Sequence, residues 1–144
     1  MPRSVDVLVV EDNTADVELL KDRLGHDKLF LRFFHVKDGE EALCFLRQQG
    51  IYRGMPKPDL VLVDWNLPVT HGRDVIQEVR DNPNLKSIVV VMVTGVKHDT
   101  AQAEAIKAGA VCCIDKPLTL LKFLSIVERV TPFWLTIVRM PDNY

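Results

Sequence analysis

Five short apolar runs rich in valine, isoleucine and leucine alternate along the chain with longer stretches of helical period. Their length and β-branched residues favour strands over helices. Nearly every position in them is apolar, as is typical of strands covered on both faces in a parallel sheet. Alternating strands and helices connect by right-handed crossovers, so the sequence predicts a doubly wound α/β fold with a five-stranded parallel sheet. The predicted strands are VDVLVVED (5–12), LRFFHVKDG (31–39), DLVLVD (59–64), SIVVVMVTG (87–95) and VCCID (111–115).

A helix is predicted after each strand. In the first, Val17, Leu20 and Leu24 share one face and Gly25 is a suitable stop. The others are predicted at 40–50, 72–82, 99–110 and 119–130. A chain of 144 residues, 47% of them hydrophobic, is long enough for one compact core and too short for two. We therefore expect a single domain over 1–144, with 132–144 an apolar C-terminal extension.

Charge and cysteine content exclude several classes of protein. A formal net charge of -2 argues against a nucleic-acid binder, which would need a basic face. No apolar run approaches the roughly 20 residues that span a bilayer, and the N-terminal residues lack the pattern of a signal peptide. The three cysteines are an odd number with no zinc-ligand spacing, which predicts a reduced, cytoplasmic protein.

Polar residues stand where four of the predicted strands end. Glu11 and Asp12 close the first strand, Asp64 the third and Thr94 the fourth, and Lys116 follows the fifth. The carboxyl ends of parallel strands meet at one edge of the sheet, where ligands bind. Gathered carboxylates repel one another unless a cation neutralises them, and Mg²⁺ prefers oxygen ligands.

Each residue also has an ordinary structural explanation. Asp12 or Asn13 can cap the following helix, Asp64 can serve a turn, and lysines such as Lys116 usually lie in solvent. Thr94 is unremarkable at a strand end. These explanations do not account for the coincidence of all four stretches at matching strand ends.

The segments VLVVEDN, DLVLVDWNLPVTHG, VVVMVTG and GAVCCIDKPL resemble, in order, the signatures of the response-regulator receiver domain of two-component signalling. The resemblance implies the flavodoxin-like strand order 2-1-3-4-5. It also implies that Asp64 is the phosphoacceptor and that Glu11, Asp12, Asp64 and the backbone oxygen of Asn66 hold Mg²⁺. Thr94 would be the switch hydroxyl, Lys116 the phosphoryl-binding cation, and Lys116-Pro117 a cis peptide.

Receivers act by self-phosphotransfer and autodephosphorylation, so no separate enzymatic activity is expected. Aspartate attacks phosphorus to form an acyl phosphate, stabilised by charge around the transferring group. Many receivers carry a Tyr or Phe three residues before the lysine. Here the residue is Cys113, so the chain departs from the family pattern at the aromatic part of the switch.

Two other functions are compatible with parts of the pattern. Haloacid-dehalogenase-type phosphatases also use an aspartate at a strand end with Mg²⁺, but need a second aspartate two residues later, where this chain has Asn66. The other alternative is an interaction module that works without phosphorylation.

The segment PFWLTIV and the long loop RQQGIYRGMPKP are similar to the small regulators that pair with cyanobacterial phytochromes. This similarity implies a phytochrome-type histidine kinase as partner and a homodimer that uses Phe133 and Trp134. The same residues can instead cover the core of the domain itself. The four histidines, at positions 26, 35, 71 and 98, are expected to be surface or loop residues.

Overall fold

A computed structural model describes residues 5–25, 31–67, 70–95, 99–116, 119, 121–122 and 125. In these ranges strands and helices alternate as the sequence predicts. The strands are β1 (Val5–Val10), β2 (Leu31–Val36), β3 (Leu60–Asp64), β4 (Val89–Thr94) and β5 (Cys112–Asp115). The helices are α1 (Thr14–Gly25), α2 (Gly39–Arg47), α3 (Gly72–Asp81) and α4 (Asp99–Ala108), with a 3₁₀ turn at Gly50–Tyr52.

The five strands form one parallel sheet in the order β2-β1-β3-β4-β5. Both the predicted fold class and the predicted strand order are confirmed. The order reverses direction at β1, with β2 on one side and β3 on the other. In such sheets the crevice at the reversal is where ligands bind, so the fold places a site at the carboxyl ends of β1 and β3.

The central strands lie in the core. Every residue of β1 and β3 is buried, and β4 is buried from Val90 to Thr94. The core continues into the helices through Val75, Ile76 and Val79 of α3 and through Ala101, Ala105 and Ala108 of α4. Burial of a Val, Leu or Ile side chain contributes about 1.5–3 kcal/mol, so a sheet apolar on both faces is the main source of stability.

The element boundaries differ from the prediction by up to three residues, and one element is not predicted at all. β1 ends at Val10, two residues early, so Glu11 and Asp12 lie beyond the strand. The 3₁₀ turn at Gly50–Tyr52 is not predicted, because it lies in a loop without apolar periodicity. Only four residues of the predicted fifth helix are described, and among them the Thr119 hydroxyl accepts the Lys122 N–H at 3.2 Å. No helix within the described ranges is both long and apolar enough to cross a membrane.

Candidate functional site at the carboxyl edge of the sheet

Three carboxylates meet at this edge of the sheet. Glu11 and Asp12 follow β1, and Asp64 is the last residue of β3. One oxygen from each lies within 4.8 Å of the others. Glu11 and Asp64 are buried, each with 6% of its surface exposed, whereas Asp12 is exposed. The tertiary fold therefore gathers the acids that the sequence predicts to be neighbours.

Lys116 connects this acidic cluster to β5. Its Nζ lies 2.6 Å from Oε2 of Glu11 and 3.0 Å from Oδ2 of Asp64. Its backbone N–H donates to the Thr94 carbonyl at 2.8 Å, which fixes the start of the side chain beside β4. Lys116 is thus a half-buried member of the site, and the alternative of a solvated lysine is wrong.

The ionisation of the cluster reflects one ammonium group shared by two buried carboxylates. Burial raises the pKa of Glu11 to about 7; the Lys116 hydrogen bond opposes this rise, and the charge of Asp64 adds to it. Burial alone lowers the pKa of Lys116, but its hydrogen bonds to Glu11 and Asp64 outweigh that effect and raise it. Lys116 is therefore charged at neutral pH. Without a bound metal, part of the Glu11 population is protonated at that pH.

The backbone around Asp64 is held on three sides. The N–H of Asn66 donates to Oδ1 of Asp64 at 3.1 Å, so the predicted turn role is real and coexists with the lysine contact. The N–H of Trp65 donates to the Val93 carbonyl at 3.1 Å. Gly72 opens α3 against the same segment, where a Cβ would lie 2.7 Å from the Asp64 carbonyl oxygen.

Asn13, and not Asp12, caps helix α1. The side-chain oxygen of Asn13 accepts the N–H of Asp16 at 3.2 Å, the geometry of an N-cap. The Asn13 N–H in turn donates to Oε1 of Glu11 at 3.1 Å. Since the cap is provided by its neighbour, the exposed carboxylate of Asp12 remains directed to the acidic cluster.

Thr94 and Cys113, the other two residues of interest, lie on the neighbouring strands β4 and β5. Thr94 ends β4 with 2% of its surface exposed, one residue beyond Val93, which pairs with Asp64. Cys113 is half-buried on β5, and its Sγ lies 3.9 Å from the carbonyl oxygen of Gln102 on α4. Burial raises the pKa of the Cys113 thiol, so it remains a neutral donor toward α4.

The donor set fits a hard divalent cation. Three carboxylates that converge from two strand ends supply oxygen ligands, which Mg²⁺, Mn²⁺ and Ca²⁺ prefer. Asn66, two residues after Asp64, is exposed to solvent. Three predicted residues, Pro117, Phe133 and Trp134, lie outside the described residues.

Two histidines have roles that the sequence does not reveal. His35 lies on β2, within the predicted strand, and is half-buried with Nε2 2.7 Å from the Glu11 carbonyl oxygen. His71 precedes α3, where Nδ1 accepts the Arg73 N–H at 3.0 Å and the ring packs edge-on against Trp65. A single histidine carries no spacing signal, and only the contact identifies its role.

Comparisons with known proteins agree with this fold. Residues 7–128 match the response regulator receiver domain. Response regulator Rcp1 of Synechocystis sp. is 34% identical over 135 residues, covering 94% of this chain and 92% of the relative. The Mn²⁺-bound crystal structure of Rcp1 superposes with a TM-score of 0.76 at 34% identity and covers 95% of this chain and 99% of that one.

Two further structures are similar over nearly the whole chain. The phosphorylated cyanobacterial phytochrome response regulator RcpA has a TM-score of 0.78 at 33% identity, covering 96% of this chain and 99% of that one. The bacteriophytochrome response regulator RtBRR has a TM-score of 0.80 at 30% identity, covering 97% and 86%.

Fold and similarity together define a flavodoxin-like signalling domain of the two-component type. The chain belongs to the response regulator receiver domain family. Members are signalling proteins of the phosphorelay, not separate enzymes, and their partner is a histidine kinase. Divalent metal binding is a property of this class of domain. Membership favours a receiver over both the phosphatase and the phosphorylation-independent module.

Proposed function

We propose that Asp64 accepts a phosphoryl group from a histidine kinase and that the resulting acyl phosphate is the signal. A single observation carries the proposal: the buried Asp64 carboxylate lies 3.0 Å from the Lys116 ammonium and within the cluster formed with Glu11 and Asp12. A nucleophile, a fixed cation and two further anionic ligands are the parts that phosphoryl transfer requires.

We further propose that the metal is Mg²⁺ and that Glu11, Asp12, Asp64 and the backbone oxygen of Asn66 hold it. Bound Mg²⁺ would supply positive charge that draws the phosphoryl oxygens to Asp64 and offsets their charge during transfer. Support comes from the oxygen-only donor set of the described residues around Asp64. Lys116 holds two of these carboxylates in place before any metal binds.

In the transfer step an Asp64 oxygen forms the bond to phosphorus as the bond to the kinase histidine nitrogen breaks. That nitrogen keeps the electron pair. Lys116 stabilises charge on the transferring group as a point charge. Hydrolysis of the acyl phosphate by water then restores Asp64, which makes the signal self-limiting.

Thr94 would report the phosphorylated state. Its hydroxyl lies at the end of β4, the strand that pairs with β3 beside Asp64. A hydrogen bond from this hydroxyl to the phosphoryl group would draw the following loop inward. The neutral Cys113 thiol faces α4 where many receivers have an aromatic ring. The Lys116-Pro117 peptide is proposed to be cis, as in other receivers.

The deciding experiment is labelling with ³²P acetyl phosphate and, separately, with a phosphorylated histidine kinase. Wild type is expected to take up label with Mg²⁺ and to lose uptake in chelator. Asp64→Asn should take up none, whereas Asp74→Asn, which changes an exposed acid on α3, should behave as wild type. Retained label in Asp64→Asn would contradict the proposal.

We also propose that the partner kinase is a phytochrome-type histidine kinase and that the cytoplasmic protein is a homodimer, which acts through protein contacts and not through nucleic acid. The near-complete coverage by RcpA and RtBRR supports the kinase class. Residues 132–144 would form the apolar extension, with Phe133 and Trp134 in the interface.

Sedimentation tests the proposed interface. Trp134→Ala is expected to lower the mass of the particle at equal protein concentration, because an aromatic anchor contributes much of the binding energy of an interface. Trp65→Phe, which leaves the C-terminal residues intact, is the control. Equal masses for wild type and Trp134→Ala would exclude this interface.

A further inference from the structure

The imidazole of His35 reaches the backbone between the two adjacent acids. Its Nε2 lies 2.7 Å from the carbonyl oxygen of Glu11. A carbonyl only accepts hydrogen bonds, so Nε2 carries the proton and donates it. His35 is on β2, which pairs with β1, and its backbone pairs with that of Val9. Its side chain therefore reaches two residues further along β1, to the carbonyl of Glu11.

This contact continues the β1–β2 ladder beyond the end of β2. The last backbone bond between these segments runs from the Glu11 N–H to the Val36 carbonyl at 3.1 Å. After Val36 the chain turns into α2, with Asp38 as the N-cap, and no longer follows β1. The Glu11 carbonyl therefore projects past the strand, and the side chain of His35 satisfies it.

The position of that carbonyl matters because it belongs to the peptide between Glu11 and Asp12. The two side chains have opposite environments, one buried against Lys116 and one exposed, yet both supply oxygens to the same cluster. A turn of the intervening peptide changes ψ of Glu11 and φ of Asp12, two angles that set how these side chains are directed relative to each other. Hydrogen-bond partners that fix ligands in this way strongly affect metal affinity.

We infer that His35 is a positioning residue for the divalent metal, holding the Glu11–Asp12 peptide so that both carboxylates face Asp64. The inference deepens the proposed function and rests on it. His35 touches neither the metal nor the phosphoryl group; it acts through the backbone of two ligands.

A general contribution of β2 to stability is the competing explanation, and the same strand provides its control. At the other end of β2, Arg32 pairs with Asp6 on β1, with Nε 2.6 Å from Oδ1 and a second bond of 3.0 Å. Arg32→Ala removes this link between the same two strands without touching the acidic cluster. A loss of metal affinity caused only by a weaker β2 would appear in this variant too.

The experiment measures Mg²⁺ affinity by titration calorimetry on four proteins: wild type, His35→Leu, His35→Gln and Arg32→Ala. His35→Leu, which has no donor, is expected to bind Mg²⁺ about tenfold more weakly, at the lower end of the range for partners of metal ligands. His35→Gln keeps an N–H donor and should remain within about threefold of wild type. Arg32→Ala should match wild type in affinity while its urea midpoint falls.

Several outcomes would overturn the inference. His35→Leu with wild-type affinity would remove it, as would His35→Gln as weak as His35→Leu, or an equal loss in Arg32→Ala. If His35→Leu does not fold, His35→Phe, which keeps a ring without a donor, takes its place. Equal Mg²⁺ affinity of His35→Phe and His35→Gln would then overturn the inference. If wild type takes up ³²P label and the His35 variants bind Mg²⁺ as tightly as wild type, the inference about His35 is wrong and the proposed function stands. Wild type that neither binds Mg²⁺ nor takes label refutes the proposed function and, with it, this inference.

Discussion

The Nζ atom of Lys116 lies 2.6 Å from Oε2 of Glu11, joining the ends of two strands that are not neighbours in the sheet. β3 and β4 lie between β1 and β5, and the lysine side chain crosses the edge of both. The same Nζ atom also lies 3.0 Å from Oδ2 of Asp64, at the end of β3. Before a metal binds, this one ammonium group offsets the repulsion between two buried acids.

Replacement of Lys116 should therefore lower stability without metal and increase the stabilisation that Mg²⁺ provides. Lys116→Met leaves Glu11 and Asp64 without their cation, and we expect unfolding free energy without metal to fall by about 1–3 kcal/mol. Mg²⁺ should then raise the melting temperature more in the variant than in wild type, because it relieves a larger repulsion. Calorimetry with and without Mg²⁺ measures both effects. Lys107→Met, on the exposed side of α4, is the control, and equal shifts in all three proteins would contradict the prediction.

The raised pKa of Glu11 predicts how stability without metal depends on pH. Burial raises this pKa from 4.5 to about 7, so between these values the folded state holds a proton that the unfolded state has lost. Stability should decrease as pH rises through this window and level off above it. Glu11→Gln, which mimics the protonated form, should flatten the profile. Urea midpoints in chelator from pH 5 to 8 test this, and parallel curves for the two proteins would refute it.

Gly72 is required where α3 begins against the Asp64 segment. A Cβ there would lie 2.7 Å from the Asp64 carbonyl oxygen and 3.0 Å from Cα of Trp65, both backbone atoms that cannot move aside cheaply. Gly72→Ala should cost about 1–3 kcal/mol of stability and slow labelling of Asp64. At Gly95, by contrast, the nearest atom to a new Cβ is Lys116 Cδ at 3.9 Å. Gly95→Ala should stay within about 0.5 kcal/mol by urea unfolding; a similar loss in both would show that the clash is not the cause.

Two arginines tie α3 to α4. Arg80 donates to the Lys107 carbonyl at the end of α4, and its side chain packs against Gly109. Arg73 reaches Glu104 at 3.4 Å, with both side chains about half exposed. Arg80→Ala should cost about 1 kcal/mol, since a carbonyl at the helix end loses its donor. Arg73→Ala should cost less than about 0.5 kcal/mol. Urea unfolding measures both, and the reverse ranking would contradict this account.

The architecture was predictable because strand and helix patterns are local. Runs such as VVVMVT and LVLVD require burial on both faces, and alternation with helices leaves a parallel sheet as the way to achieve it. The same reasoning predicts one rim for Glu11, Asp64, Thr94 and Lys116, since parallel strands end at a common edge. A charged residue directly after an apolar run can be recognised in the sequence, and it indicates the edge of the sheet where the site lies.

The division of roles within that rim was decided by tertiary structure. In the sequence, Glu11, Asp12 and Asn13 are three consecutive candidates for capping or metal binding. In the fold Glu11 pairs with Lys116, Asp12 faces the cluster and Asn13 caps α1. The Glu11 partner is far along the chain, and its distance follows from the register of the strands, which no local pattern encodes.

His35 is a second residue whose role could not be predicted from the sequence. Its position on a strand is predictable from the apolar run, whereas its bond to the Glu11 carbonyl depends on where β2 stops beside β1. Sequence by itself determined which elements form and which strand ends carry charge, because burial and backbone preference act over neighbouring residues. The tertiary structure decided which polar atoms meet, because hydrogen bonds and ion pairs require distances of about 3 Å that only the packed strands fix.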